Sequence, residues 1–464
     1  MATSISEFVY VWAWLPGEAE PVPAGALQRR GGTTDLRFRY GEQYRKRTGA
    51  LALYNLPFDG PTWHDATHNL KMPAAIRDTS PDSWGRRVIL QRVKPASEDT
   101  DDLDEATYLL QSGSNRLGAI DFQTSSRDYV ARVETATLDD LLDAAELVER
   151  GAPLPEHLER ALLYGTAIGG ARPKALLADQ GRQFIAKFST TTDTYDVVGA
   201  EATSIYFARK LGVPVTDAKV VRSMGRKVLL LERFDRRNDA TRRMVVSGLT
   251  ILDLPEQWVP SGSYPALLDK LLEESASAKG LNEEVFRRAA FNIAIGNTDD
   301  HLRNHAAFWD GKHIELTPAY DLSPVYRSGE TATQALALTR EGDRTSSLSV
   351  LVHAAADYRL DRASARDIAE EITETIREHW SDAADFGELT ERERNLTWGR
   401  MFLNPGSVRG FTTPANNGSS SHSEGQRRAI TTPGSNSGSF AGKQHSLPEV
   451  YLSPGRTQED PGLS

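Results

Sequence analysis

The sequence predicts an α+β fold with a strand-rich N-terminal part, an α-rich second half and a disordered C-terminal tail. Three observations carry this expectation. The first 125 residues hold short aromatic and branched runs broken by turn signals. Phe8-Val-Tyr-Val-Trp-Ala-Trp14 before Pro16-Gly17, and the alternating Leu36-Arg-Phe-Arg-Tyr40, are the clearest. Later, helical spacing dominates; in Glu283–Ile295 the residues Val285, Phe286, Ala289, Ala290 and Ile293 share one apolar face. From Pro405 onward Gly, Ser, Thr, Pro, Asn and Gln take over, and such a segment cannot bury enough apolar surface to offset chain entropy.

Composition narrows the class. A chain of 464 residues is long enough for two or three domains, and 39% hydrophobic with 25% charged residues allows real cores. A net charge of −10 argues against a dedicated nucleic-acid binder. With no cysteine, disulfide scaffolds, thiolate metal sites and cysteine nucleophiles are excluded. No apolar run reaches the length of a membrane span. The start, Met-Ala-Thr-Ser-Ile-Ser-Glu, lacks the basic and apolar regions of a secretory signal. The expectation is a cytoplasmic protein with no membrane partner.

Taken in order, Pro81–Leu90 reads as a turn entering a helix. The acidic run Ser97–Glu105 reads as a solvated helix start, where carboxylates suit the positive end of the helix dipole. Gly118–Phe122 reads as a closing strand. No catalytic constellation is visible in this part, which is a candidate for binding or support. Residues 136–163 are expected to be helical, with Leu138, Leu141, Leu142 and Leu147 as a packing stripe.

Gly165-Thr-Ala-Ile-Gly-Gly-Ala-Arg-Pro-Lys174 follows. Glycines in such a turn let backbone N–H groups approach phosphate oxygens, although an ordinary hairpin explains them equally well, and no Gly-Lys-Ser/Thr of a Walker loop is present. After the turn Asp179-Gln-Gly181 comes the strand Gln183–Phe188, with Phe184, Ala186 and Phe188 on one face and Ile185 and Lys187 on the other. Lys187 is either a solvated edge-strand lysine or a point charge for nucleotide phosphates. Val197–Leu211 reads as a helix closed by Gly212, with Glu201 in its first turn, able to pair with Lys187 or to remain a surface carboxylate. Lys227–Arg236 reads as a buried strand ending in a polar connector; the backbone of Glu232–Phe234 would hold adenine in a kinase-type site. Residues 264–279 and 359–380 read as further helices, and Trp398–Leu403 as the last apolar segment.

The chemistry concentrates in Gly296-Asn-Thr-Asp-Asp-His-Leu-Arg-Asn304, directly after the Glu283–Ile295 helix, which Asn282 would cap and Gly296 would stop. Asp299 and Asn304 lie five positions apart, the wrong spacing for one helical face but open to convergence in a loop. Phosphoryl transfer in kinase-like sites uses such a pair: the Asp takes or orients the substrate hydroxyl proton and the Asn oxygen holds magnesium. Asp321, in Ala319-Tyr-Asp-Leu-Ser-Pro324, is the candidate second metal-holding carboxylate. Any one of these residues alone reads more readily as an ordinary loop residue; their ordered co-occurrence shifts the odds.

The order Gly-Gly-Ala-Arg-Pro-Lys, strand Lys, helix Glu, Glu-Arg-Phe-Asp-Arg, Thr-Asp-x-His-x-x-Asn, Tyr-Asp-Leu-Ser-Pro resembles the HipA-type serine/threonine kinases, the toxin halves of type II toxin–antitoxin modules, over roughly residues 7–400. The resemblance implies a bilobal, protein-kinase-like fold related to the phosphatidylinositol kinases. It implies an N-terminal β-rich subdomain over 1–125, an N-lobe over 126–254, an α-rich C-lobe over 255–403 and a tail over 404–464. It further implies ATP and Mg2+, and a protein seryl substrate, in some members on an aminoacyl-tRNA synthetase. The implied partner is a small helix-turn-helix antitoxin, through which alone the chain would meet DNA.

By the same resemblance Asp299 is the catalytic aspartate and Asn304 and Asp321 are the metal ligands. Gly169, Gly170, Ala171, Lys187, Glu232 and Phe234 bind nucleotide, with Glu201 and His301 in support. One departure stands out: many members carry an autophosphorylated serine just before the loop, where this chain has Ala167, leaving Thr166 as the nearest hydroxyl. The competing expectations are a small-molecule phosphotransferase of the sugar or aminoglycoside type, and a degenerate kinase retained as an antitoxin partner. A histidine after the first Asp, as His301 follows Asp299, favours the protein kinase over the former.

Overall fold

The computed structural model describes residues 7–411, apart from 32, 94–102, 134–136, 151, 153, 157, 160–171, 173, 180, 191, 238–239 and 256–260. The alternating runs at the start of the chain form an antiparallel sheet of β1 (Phe8–Trp14), β2 (Pro21–Arg29), β3 (Leu36–Tyr40) and β4 (Ile120–Gln123), in the order β3-β2-β1-β4. Gly25 sits in β2 because a Cβ there would lie 2.3 Å from the Arg39 main-chain oxygen. Between β3 and β4 the chain forms α1 (Ser83–Val93) and α2 (Glu105–Gln111). The Asp104 side chain caps α2 by accepting from the Thr107 N–H. The earlier part of the expected acidic helix start, 97–102, lies outside the described residues.

Helix α3 (Leu138–Glu149) opens with a reciprocal Thr137–Asp140 capping box. A second antiparallel sheet follows: β5 (Lys174–Asp179), β6 (Arg182–Phe188), β7 (Ala218–Ser223) and β8 (Arg226–Glu232), in the order β5-β6-β8-β7, with α4 (Val197–Lys210) between β6 and β7. The period of two holds on β6. Phe184, Ala186 and Phe188 are buried in a cluster with Trp84, Val88 and Ile89 of α1 and Leu141 and Leu142 of α3. Lys187 therefore points to the other face, where α4 lies.

The second half builds a three-stranded sheet of β9 (Met244–Ser247), β10 (Ala306–Trp309) and β11 (Ile314–Leu316), with β10 in the middle. Helix α5 (Tyr264–Glu274) packs on β11 and on α6 (Leu281–Ile295), and α7 (Arg362–Glu378) packs on α6. Helix α6 begins at Leu281 after a left-handed Gly280 (φ 75°), so Asn282 lies inside the helix and is not its cap. Its burial is not confined to one face. Arg288, Phe291, Asn292, Ala294 and Ile295 are buried along with the expected apolar stripe, because α6 runs through the centre of the largest core. Gly296 ends it in the left-handed conformation (φ 73°), as expected.

The boundary of the expected tail needs correction. Residues 404–411 belong to the core: Val408 and Phe411 are buried in the main cluster. The Ser407 main-chain oxygen accepts from the Leu348 N–H at 2.8 Å, and its hydroxyl accepts from Arg327 at 2.6 Å. Two apolar anchors and a buried arginine partner outweigh the polar composition there. The remainder, 412–464, lies outside the described residues.

Candidate active site

Three distant segments meet at Lys187. Its Nζ donates to Glu201 Oε1 and to Asp321 Oδ1, both at 2.6 Å. Helix α4 starts at Val197, as expected, under the Asp196 cap, and Glu201 falls just past its first turn. That position aims it at the sheet, and its side chain is only 4% exposed. Burial raises the Glu201 carboxyl above its usual range against the pull of Lys187. Burial acts the same way on Asp321, but Lys187 and Lys174 outweigh it and hold that carboxyl well below its usual range. On Lys187 the two carboxylates outweigh burial and hold the ammonium charged.

Asp321 adopts a left-handed backbone (φ 59°), unusual for a residue other than glycine. Its main-chain oxygen accepts from Asn297 Nδ2 at 3.2 Å and from the Ser323 N–H at 2.9 Å. Its side chain remains 40% exposed and open to a further ligand.

The loop after α6 separates two adjacent carboxylates. Asp300 turns inward, where its Oδ2 accepts from the Tyr264 hydroxyl, from Asn292 Nδ2 at 2.8 Å and pairs with His305 Nε2 at 2.8 Å. Asp299 is thereby turned outward and exposed. A short 3₁₀ turn, Leu302–Asn304, folds the loop back, and Asn304 Nδ2 donates to the Asp299 main-chain oxygen at 3.3 Å. The five-residue spacing is thus bridged. Partial removal from water raises the Asp299 carboxyl; Asp321 and Asp300 add to this and His301 opposes it. His301 has a buried Nδ1 with no hydrogen-bond partner among the described residues.

The polar connector is buried: Arg233, Asp235 and Arg236 lie out of water. Asp235 Oδ2 accepts from Arg233 at 2.7 Å, from Arg236 at 2.8 Å and from the Gly118 N–H at 2.7 Å. Arg233 also donates to the Asn115 main-chain and side-chain oxygens at 3.0 and 2.8 Å. Burial would raise the Asp235 carboxyl, yet the two guanidinium groups hold it down at about 2. The loop before β4 is thereby stapled to the connector. At the connector, Glu232 accepts from Arg182 at 3.2 Å, and the Phe234 ring packs on Phe308 and Tyr320. A charged Arg-Phe-Asp-Arg run straight after an apolar strand was the available signal for a buried ion network, and it was missed, as was the Asp300 network. Gly169, Gly170 and Ala171, with Thr166 and Ala167, lie outside the described residues.

Chemically, the site offers a fixed cation, an exposed carboxylate whose proton affinity is raised, and oxygen donors suited to a hard cation. Among the described residues no three His, Asp or Glu side chains form a ready-made metal cage. The Asp321 carboxylate and the Asn304 carboxamide are oxygen donors of the kind a hard cation takes. No helix among the described residues is long and apolar enough to cross a membrane.

The fold is mixed α/β. Two family profiles match the chain, the HipA-like C-terminal domain over residues 166–380 and the HipA N-terminal domain over 18–123. Together they span well over half of it, and the chain belongs to the HipA family. It is 27% identical over 186 residues to the serine/threonine-protein kinase toxin HipA of Shewanella oneidensis MR-1, covering 34% of this chain and 43% of the relative. It is 25% identical over 182 residues to the toxin YjjJ of Escherichia coli K12, covering 37% and 40%. The chain thus spans about two fifths of the length of these relatives. Among solved structures, the Shewanella oneidensis MR-1 HipA, HipB and operator DNA complex contains a chain that matches with a TM-score of 0.60 at 17% identity, covering 86% of this chain and 99% of that one. At that identity the likeness is one of fold.

Proposed function

We propose that this chain is an ATP-dependent serine/threonine protein kinase that acts as a growth-arrest toxin and is neutralised by a small helix-turn-helix antitoxin. The observation that carries the reading is the Lys187 ammonium, held at 2.6 Å by both Glu201 and Asp321. A lysine steadied by a helix carboxylate, next to a carboxylate able to hold a cation, is the arrangement by which kinases place nucleotide phosphates.

In this reading residues 126–254 and 255–403 form two lobes with the nucleotide between them, and 1–125 supports both. Lys187 offsets phosphate charge, and Glu201 keeps its ammonium in place. The Gly169–Ala171 loop covers the phosphates, and the backbone of Glu232–Phe234 holds adenine. Asp299 orients the substrate hydroxyl and takes its proton; its raised proton affinity suits that task. Asn304 and Asp321 hold Mg2+, which when bound neutralises phosphate charge. His301 supports both carboxylates electrostatically.

The substrate is a protein seryl group, and an aminoacyl-tRNA synthetase is the first target to test. Purified protein is incubated with γ-labelled ATP and cell lysate, and the labelled species is identified. Label on a protein, lost in Asp299→Asn, supports the reading. Label on a small molecule would replace it with a sugar- or aminoglycoside-type phosphotransferase. No transfer, with retained antitoxin binding, would leave a degenerate kinase acting as co-repressor.

A further inference from the structure

The sheet face that carries Lys187 also presents Lys227. Lys187 lies directly opposite Leu229 of β8, so the period of two puts Lys227, Leu229 and Leu231 on the same side of the sheet. Leu229 and Leu231 are buried there in the cluster that holds Val198, Ala202 and Ile205 of α4, whereas Val228 and Leu230 face the other core. Lys187 and Lys227 therefore both point at α4. Lys187 meets Glu201. Lys227 Nζ donates at 2.5 Å to Oδ2 of Asp196, whose Oδ1 caps the helix by accepting from the Gly199 N–H at 2.9 Å.

Lys227 reaches further. Its remaining protons go to the main-chain oxygens of Glu388, at 2.5 Å, and Gly387, at 3.3 Å, directly after helix α8 (Trp380–Phe386). Three donors meet three acceptors, so the ammonium has no proton left for a ligand. The side chains of Lys227 and Asp196 are only 14% and 11% exposed, and charges so placed need each other. The chain after α8 comes close enough for these bonds because two glycines face each other. A Cβ on Gly199 would lie 2.7 Å from the Gly387 main-chain oxygen, and one on Gly387 would run into the Gly199 main-chain oxygen. Gly387 has φ −76°, open to any residue, so the contact and not the backbone conformation requires glycine there. Asp196 and Glu201 are about 7.5 Å apart along the helix axis. Over so short a hydrogen-bonded stretch, a shift at the cap is carried to Glu201.

We propose that Lys227 is a positioning residue for the phosphate-binding pair. With Asp196 and the Gly199–Gly387 contact it fastens α4 between the sheet and the segment after α8, and so holds Glu201 on Lys187. The inference rests on the kinase reading given above. It adds to that reading a contribution from Gly387 and Glu388, to which the sequence assigned no part. A strap that only joined two elements would contribute to stability and leave nucleotide affinity untouched.

Two measurements on the full chain test this: amide hydrogen exchange across 197–204, the first half of α4, and calorimetric binding of ATP with Mg2+. Lys227→Met and Gly387→Ala are each expected to speed exchange across 197–204 tenfold or more, with exchange in 306–316 changed less than twofold, and to weaken ATP fivefold or more. Asp196→Asn keeps an oxygen for the Gly199 N–H but loses the charge, and should weaken ATP threefold or more. If Lys227 acts through Glu201, the double variant Lys227→Met/Glu201→Gln binds ATP within twofold of Glu201→Gln alone. Unchanged exchange across 197–204, ATP affinity kept while that exchange rises, or losses that multiply in the double variant would each overturn the proposal. Should Lys227→Met fail to fold, Gly387→Ala and Asp196→Asn decide. Glu201→Gln separates the two levels. If it loses ATP while Lys227→Met and Gly387→Ala keep it, only this inference fails; if the wild type binds no ATP, the kinase reading fails and takes the inference with it.

Discussion

Asn297 donates from Nδ2 to the main-chain oxygen of Asp321 at 3.2 Å, tying the loop after α6 to the residue whose carboxylate meets Lys187. The same Nδ2 donates to Asn292 Oδ1 at 3.0 Å, and the main-chain oxygen of Asn297 accepts from Gln334 at 3.1 Å. A buried carboxamide thus holds a left-handed aspartate in place. Asn297→Ala is expected to cost about 1–3 kcal/mol in denaturant unfolding, since partners are left unsatisfied. It should also weaken Mg-ATP more than metal-free nucleotide. Equal losses for the two ligands would show that Asn297 acts on stability alone.

Asp299→Asn should fold normally, because the side chain is exposed and makes no packing contact that the amide lacks. Phosphate transfer should fall by two or more orders of magnitude, as an amide cannot take the hydroxyl proton. Transfer at the wild-type rate would remove Asp299 from its proposed role.

Asp300 is expected to behave in the opposite way to its neighbour. Truncation to Ala strands the Tyr264, Asn292 and His305 groups that now meet on Oδ2. The expected cost is roughly 3 kcal/mol, read as a fall in Tm or in the urea midpoint. A stable Asp300→Ala variant would mean that water replaces the carboxylate without penalty.

Burial pushes the Asp82 carboxyl up to about 6, with Lys174 and Arg303 opposing. The folded state therefore holds this proton more tightly than the unfolded chain, whose carboxyl titrates near 3.8. The stability this contributes is fully present below the unfolded value and is lost as pH rises through the folded one. Unfolding free energy measured between about pH 4 and 6 should fall with pH in the wild type by an amount that Asp82→Asn removes, on the order of 1 kcal/mol. Parallel curves for the two proteins would contradict it.

The length of the chain's end separates two outcomes. Ending the chain after Phe411 leaves every contact among the described residues in place. Ending it after Asn404 removes Ser407, Val408 and Phe411 and takes from Arg327 Nη1 its partner Ser407, leaving the bond from Nη2 to Ser346. The shorter protein should lose several kcal/mol, since burying a Val or Phe side chain contributes about 1.5–3 kcal/mol each. Thermal melts of the two truncations decide the matter; coincident melting would mean that residues 405–411 hold no core.

Local pattern was enough for much of the scaffold. The alternation in 183–188 placed Phe184, Ala186 and Phe188 in the core and Lys187 on the far face, because side chains on a strand alternate whatever surrounds them. Gly296 stopped its helix for a similarly local reason: glycine adopts the left-handed conformation at little cost. The order of Lys187, Glu201, Asp299, Asn304 and Asp321 also pointed to one kind of chemistry before any contact was known. What the residues meet was settled only by the tertiary structure. Lys187 and Asp321 are 134 positions apart, and no periodicity links them. Asp299 and Asp300 are neighbours of the same type, yet one is exposed and the other buried, since only Asp300 finds donors from α5, α6 and His305. Arg233, Asp235, Arg236 and Asp82 carry no local signal of burial, since charged residues are usually solvated. Each enters the interior only where a counter-charge or a main-chain group from a remote segment compensates it, and such compensation exists only once the chain has folded.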